Sequence, residues 1–257
     1  VFARSPDRIL KALTHHEHYL ALWNMSRVYD QFWANFKRYI TKQGEYPYQP
    51  GLATPQGRVN PMLHCPADML TVNEIFCRKD YDADSSINVV VDIGSNIGIS
   101  GLYFLTRNDH VRCYLYEPDP ANVPKLESNL ASYKDRYTLY ENAVSYESGR
   151  LQFGTEPTGR YGGLGVSTGN YIEVETITIN DVLADVLSKE THVDILKLDI
   201  EGLEVDTVSA IDPKYLDKIG RIYFEYMEPA PVTPIFPSEF RQNQRGSIYR
   251  MFNKLEK

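Results

Sequence analysis

The chain has 257 residues, of which 42% are hydrophobic, 24% charged and 12% aromatic. That is enough chain to bury a core unaided, and the composition excludes a disordered or fibrous protein. The formal net charge is −7, and residues 86–257 carry 17 Lys+Arg against 25 Asp+Glu. An acidic main body is a poor nucleic-acid binder, because phosphate binding relies on clustered Lys and Arg. No stretch approaches the 18 apolar residues of a membrane span, and no charged-then-apolar leader opens the chain. Cys65, Cys77 and Cys113 form no C-x-x-C pair. They read as reduced thiols, and the expected location is cytoplasmic.

Residues 6–43 read as helix, with Leu10, Leu13, Leu20, Trp23, Val28, Phe32, Phe36 and Ile40 at three- and four-residue spacing. Ser5-Pro6 supplies a cap and a first-turn proline. Pro47, Pro50, Pro55, Pro61 and Pro66 then predict an extended, irregular linker or arm. A boundary is placed near residue 58, giving an N-terminal helical arm over 1–58 and a main domain over 59–257. A homodimer through the tyrosine-rich arm is one expectation.

From residue 68 the pattern alternates helix and short buried strand. Asp68 to Lys79 reads as helix, Asn88 to Ile93 as a β-branched strand, 97–107 as helix and Arg112 to Tyr116 as strand. A helix follows from Asp119-Pro120 to about Tyr133, then strands over 137–144, 193–198 and 221–226. This is the pattern of an α/β parallel sheet with helices on both faces. Leu151–Phe153 and Tyr171–Ile177 are expected to pair around a loop holding six glycines, with Arg160 and Tyr161 near its tip. Ser247 to Leu255 reads as the start of a helix. The final strand hairpin of such a sheet is not visible, so a truncated sheet edge is expected.

The strongest local signal is VVVDIGSNIGISG, residues 89–101. It carries Asp92, then Gly94 and Ser95, to the carboxyl end of a buried strand, where open parallel sheets bind ligands. Gly94 permits a sharp turn and Gly98 a close approach to a ligand; a tight turn without any ligand is the plain structural alternative. A dinucleotide fingerprint needs a second glycine where Asn96 stands. Asp92 would also bring a carboxylate that repels phosphate and suits a cationic ligand. The loop therefore favours S-adenosylmethionine over NAD. LYEPDP, residues 115–120, places Glu117 at the next strand end, 23 residues after Gly94, a spacing suited to a carboxylate accepting from ribose hydroxyls. DILKLDIEGLE, residues 194–204, embeds Lys197 in a buried strand. Its ammonium needs a partner, and Asp199 or Glu201 is the nearest in sequence. Asp199 and Glu201 would stand near the reactive end of the cofactor.

From Glu74 to Glu225 these motifs, with NAVS at 142–145, IEVETITINDVL at 172–183 and IYFEY at 222–226, resemble the FkbM-type S-adenosylmethionine-dependent methyltransferases. The resemblance implies a class I methyltransferase (Rossmann-like) fold. It also implies O-methylation of a hydroxyl on a sugar, glycolipid or polyketide-type natural product. By position it implies Asp92, Gly94 and Asn96 around the cofactor, Glu117 on the ribose, and Asn142 and Ala143 beside the adenine. An NAD-dependent oxidoreductase and a non-catalytic cofactor-fold binding domain are the alternatives.

A protonated alcohol is a poor nucleophile, so a base is useful. Glu201 and Asp199 are the first candidates, with Asp199 alternatively orienting Lys197, and His64 is a further candidate base. Asp199 with Glu225 could hold a metal, but no ligand cluster compels one. His15, His16 and His18 lack the further ligands a zinc site needs.

Overall fold

The computed structural model describes residues 16–155, 162–164, 166–200, 202–225, 240–245 and 247–254, with side chains from residue 19 onward. Its centre is a seven-stranded sheet. Five strands are parallel: β3 (Val89–Ile93), β4 (Arg112–Tyr116), β5 (Tyr137–Tyr140), β10 (Val193–Leu198) and β11 (Ile219–Glu225). An antiparallel hairpin, β12 (Phe240–Arg245) and β13 (Ile248–Asn253), completes the order β12-β13-β11-β10-β3-β4-β5. Sheet and hairpin together make the class I methyltransferase fold.

Strand periodicity explains the two cores. Val90, Cys113, Leu115 and Ile195 pack on one face. Val89, Val91, Ile93, Tyr114, Tyr116, Leu196 and Leu198 pack on the other. Successive side chains alternate sides, so runs that are apolar throughout are buried on both. The first face is covered by α1 (His16–Val28), α2 (Phe32–Thr41), α3 (Pro66–Val72) with a π-turn over Asn73–Cys77, α4 (Ile99–Leu105) and α5 (Val123–Asn129). The second is covered by α6 (Ile179–Lys189), α7 (Glu204–Ser209) and α8 (Pro213–Leu216). Helix α6 starts at a reciprocal cap: Thr178 Oγ1 accepts from the Asp181 N–H, and Asp181 Oδ2 accepts from the Thr178 N–H.

A second, four-stranded sheet in the order β6-β9-β7-β8 sits between β5 and α6. It comprises β6 (Ala143–Ser145), β7 (Gly149–Thr155), β8 (Gly163–Leu164) and β9 (Asn170–Thr178). The expected β7–β9 hairpin is present. The expected single strand over 137–144 is two: Tyr140 still pairs with Tyr116, whereas Ala143–Ser145 pairs with β9.

Other expectations are corrected by partners distant in the chain. The N-terminal helix breaks after Val28, because the Asp30 N–H donates to the Gly51 carbonyl and Tyr29 bridges to Leu52. Residues 6–15 of that expected helix lie outside the described residues. The proline-dense arm contains a small hairpin, β1 (Leu52–Thr54) with β2 (Gly57–Val59). Thr54-Pro55-Gln56-Gly57 supplies its turn residues, with proline second and glycine fourth. The helix expected from Asp119 begins at Val123 and gives way to a 3-10 segment, Ala131–Arg136.

The largest correction is at 247–255. Ile248–Asn253 is a strand that pairs on both sides, with β11 and β12. Its apolar residues are buried on both faces, so its sequence lacks the alternation of a strand. The sheet edge expected to be truncated is therefore present. Among the described residues no helix is long and apolar enough to cross a membrane. Met251, 1% exposed on β13, gives a test. Met251→Ala should cost about 2–5 kcal/mol in urea unfolding, and Asn243→Ala on exposed β12 should stay within about 0.5 kcal/mol.

Candidate active site

The carboxyl ends of the parallel strands open into a cavity of about 770 Å³, within the range of small-molecule sites. Following the strand order, Glu225, Asp199, Gly94, Glu117 and Asn142 stand along its floor. Ala143, Val144, Phe153 and Leu164 contribute apolar lining, and Glu74, Arg78, Asp80 and Tyr81 contribute polar lining.

The turn after β3 is left-handed at alternate residues: Gly94 at φ 76°, Asn96 at 49° and Gly98 at 84°. Glycine at 94 is enforced by contact as well. A Cβ there would lie 1.9 Å from the Asp199 carbonyl oxygen, so β3 and β10 meet backbone to backbone. Asn96 tolerates the left-handed state, its Oδ1 accepting from the Ile97 N–H at 2.8 Å. Gly98 serves packing, not ligand approach: its Cβ would meet the Leu126 and Leu130 side chains at 3.1 and 3.3 Å. Ser95 is buried and donates to the Asp92 carbonyl. Of these loop residues, Gly94 and Asn96 line the cavity.

Glu117 is buried yet lines the cavity. Its Oε2 accepts from the Asn96 N–H at 2.7 Å; Oε1 accepts from the Asp119 N–H at 3.0 Å and from Asn122 Nδ2 at 3.4 Å. Burial lifts its pKa to about 7, and those donors hold it from rising further. Among the described residues these are its donors, so Oε2 keeps capacity for another.

Asp92 and Lys197 are cross-strand partners, fully buried at 0% and 1% exposure. Lys197 Nζ lies 2.9 Å from Asp92 Oδ1 and 3.7 Å from Asp199 Oδ2, and donates to the Gly94 carbonyl at 2.9 Å. Ser100 Oγ donates to Asp92 Oδ2 at 2.5 Å. Burial works against the Lys197 charge, but Asp92 and then Asp199 outweigh it, so its pKa is raised. Asp199 is therefore a partner as expected, but the closer one is Asp92, which the register places directly alongside. Asp92, expected to face a cationic ligand, lies behind the cavity wall with its charge matched.

Asp199 lines the cavity. Its Oδ2 accepts from the Tyr81 hydroxyl at 3.2 Å, and its Oδ1 has no hydrogen bond among the described residues. Glu204 accepts from the Ile200 and Gly202 N–H groups at 3.1 and 2.8 Å, closing the turn after β10; burial raises its pKa. Ser247 Oγ donates to Glu225 at 2.6 Å. Glu201, Arg160 and Tyr161 lie outside the described residues, as do residue 15 and the side chains of 16–18. His64 is exposed, away from the cavity lining, its N–H bound to Asp68 Oδ2. Among the described residues no three His, Cys, Asp or Glu side chains converge on a metal position.

Sequence reasoning missed Arg78, Asp80, Tyr81, Phe153, Leu164 and Glu204 as lining residues. Glu204 ends the DILKLDIEGLE motif, where its residue type alone does not set it apart from Glu201. Arg78 falls inside the stretch expected as helix, and Asp80 and Tyr81 lie just beyond it, where no periodicity marks them.

A parallel sheet with a closing antiparallel hairpin, a glycine turn after its first strand and a carboxylate at the end of the next define a class I methyltransferase. The model of the methyltransferase FkbM domain matches residues 92–242, more than half of the chain, and the protein belongs to that family. It is a methyltransferase, and its methyl donor is S-adenosylmethionine. Methyltransferase sdnD of Sordaria araneosa is 23% identical over 205 residues, 63% of this chain and 75% of that protein. 2-O-methyltransferase NoeI of Sinorhizobium fredii is 26% identical over 158 residues, 54% of this chain and 63% of that protein. AMB antimetabolite synthetase AmbE of Pseudomonas aeruginosa is 25% identical over 195 residues, 59% of this chain but 9% of that much longer protein.

Two substitutions test the site's frame. Asp92→Ala should cost about 3–5 kcal/mol in urea unfolding, because it strands a buried ammonium although Asp92 touches no cavity. Gly94→Ala should abolish S-adenosylhomocysteine binding in calorimetry, since the new Cβ displaces the Asp199 backbone.

Proposed function

We propose that this methyltransferase modifies a hydroxyl group of a sugar, glycolipid or natural product, with Asp199 as the base. The observation that carries the reading is Asp199 itself: a cavity-facing carboxylate with one oxygen held and the other open. The name of the relative from Sinorhizobium fredii, a 2-O-methyltransferase, supports oxygen as the accepting atom.

The residues present fit the methyl donor. Glu117 keeps acceptor capacity at Oε2 for a ribose hydroxyl, and the 3.4 Å contact from Asn122 is weak enough to yield to a second. Asn142, Ala143, Val144 and Phe153 would flank the adenine. Gly94 and Asn96 would lie under the amino-acid portion. The lining carries Glu74, Asp80, Glu117, Asp199, Glu204 and Glu225 against Arg78, an acidic setting that suits a cationic cofactor and opposes the pyrophosphate of NAD. Bound S-adenosylmethionine supplies a methyl group whose carbon–sulfur bond breaks with its electron pair passing to sulfur.

The chain's part is to hold the acceptor oxygen in line and take its proton. Asp199 Oδ1 receives the proton that the hydroxyl loses as its oxygen gains the methyl group. Lys197 is too deeply buried to meet the acceptor; it keeps Asp92 and Asp199 in place. Glu201, next but one in the same motif, remains a second candidate base. A cytoplasmic location rests on the free thiols of Cys65, Cys77 and Cys113. A homodimer rests on Trp23 and Trp33, 60% and 76% exposed on α1 and α2, and sedimentation would read it.

Thermal unfolding with S-adenosylmethionine, S-adenosylhomocysteine and NAD tests the cofactor site. At a hundred times Kd the first two should stabilise by about 2.7 kcal/mol, or roughly 5–10 °C, and NAD should do nothing. Labelled methyl transfer to a panel of methyl glycosides, a glycolipid and a hydroxylated polyketide tests the acceptor class. Ribose hydroxyls donate to the ionised form of Glu117, so cofactor affinity should be full above pH about 7. Below that pH it should weaken by up to about tenfold per unit, and Glu117→Gln should bind weakly at every pH.

A further inference from the structure

The loop from Arg78 to Asp84 precedes the region matched by the family, yet it is fixed from three directions by the sheet and its helices. Arg250 of β13, itself buried, donates through Nε and Nη2 to the Asp80 carbonyl at 3.1 and 2.8 Å, and through Nη2 to the Lys79 carbonyl. Tyr223 of β11 donates its hydroxyl to the Asp82 carbonyl at 2.7 Å. Tyr103 of α4 accepts from the Ala83 N–H at 3.2 Å. The loop lines the cavity with Arg78, Asp80 and Tyr81, and between these anchors Tyr81 reaches Asp199.

Tyr81 is 4% exposed. Its hydroxyl donates to Asp199 Oδ2 at 3.2 Å, the oxygen that Lys197 Nζ approaches to 3.7 Å. The same ammonium lies 5.3 Å from the centre of the Tyr81 ring, a cation–π distance. Tyrosine and lysine thus converge on one oxygen of the carboxylate and leave Oδ1 to the cavity. Burial, and then the Asp199 charge, raise the Tyr81 pKa well above its ordinary value. The phenol therefore remains a donor throughout the working range and cannot itself serve as the base.

We propose that Tyr81 is a positioning residue for methyl transfer. Its hydroxyl holds Asp199 in the orientation that presents Oδ1 to the acceptor hydroxyl. A carboxylate free to rotate about its side-chain bonds would spend much of its time out of reach of that proton, which lowers the rate of transfer without weakening binding. The proposal rests on Asp199 as the base, and it extends the working site to a segment outside the family match.

Tyr81→Phe is the decisive variant, because it keeps the ring over Lys197 and removes only the donor. Its kcat should be measured with labelled S-adenosylmethionine and the best acceptor from the panel above. S-adenosylhomocysteine Kd by calorimetry and the melting temperature should accompany it. We expect kcat to fall about tenfold, with acceptor KM and S-adenosylhomocysteine Kd within about twofold of wild type. Asp199→Asn should lose about 10²–10⁴-fold, and adding Tyr81→Phe to it should cost nothing more. Wild-type kcat in Tyr81→Phe beside a crippled Asp199→Asn removes the positioning role and leaves the base. An undiminished tenfold loss on top of Asp199→Asn removes it too, since the hydroxyl then acts elsewhere. Wild-type turnover in Asp199→Asn overturns the base assignment and this inference with it. So does failure of protein that binds S-adenosylhomocysteine to methylate any panel member.

Discussion

The pairing of Asp92 with Lys197 in the middle of the sheet is the constraint on which the site depends. Two opposite charges, neither in contact with water, sit side by side on adjacent parallel strands. Such a pair is a weak source of net stability, because desolvation opposes the attraction. It is a strong source of register. Sliding β10 by one residue against β3 would send Lys197 to the opposite face and leave both charges alone. That register also brings the Asp199 backbone against Gly94 and lets the lysine reach the Gly94 carbonyl. The ends of two strands are thereby fused into one rigid ledge. Glu117 extends the ledge to β4 by accepting the Asn96 N–H. Three strand ends are held by polar contacts that reach beyond the sheet's own ladder.

Much of the fold was legible because its central strands are short, mostly apolar runs, with β3 β-branched and ended by Gly94. Strands β4 and β10 fall where the sequence places them to the residue. Misreadings cluster where a distant partner decides. Ile248–Asn253 has no strand alternation because both faces are buried, and its strand state comes from β11 and β12. The break between α1 and α2 follows from Tyr29 and Asp30 meeting Leu52 and Gly51, residues still over twenty positions away. Residues 143–145 leave the central sheet because β9 offers them an alternative edge.

The site was legible in its acidic and glycine residues and illegible in its pairings. Gly94, Asn96, Glu117, Asn142, Ala143 and Asp199 all line the cavity. The sequence could not tell that Asp92 faces inward, because a carboxylate beside a glycine turn reads the same whether it meets a ligand or a lysine. Nor could it reveal Tyr81. That side chain is delivered by Arg250 and Tyr223, residues more than 140 positions later, and only the folded sheet brings them to the loop.

One feature of the sheet bears on how the molecule meets its neighbours. The outermost strand, β12, reads Phe-Arg-Gln-Asn-Gln-Arg, and residues 241–244 are exposed. An edge strand ordinarily offers its unpaired backbone groups to any passing chain, which is how sheets grow into fibrils. Here the rim carries cations and amides, and the apolar residue Phe240 turns inward. A second sheet approaching along this edge would have to bring arginines together and strip water from amides before forming its first rung. Among the described residues, the strand that closes the fold therefore also guards this edge of the sheet against a further strand.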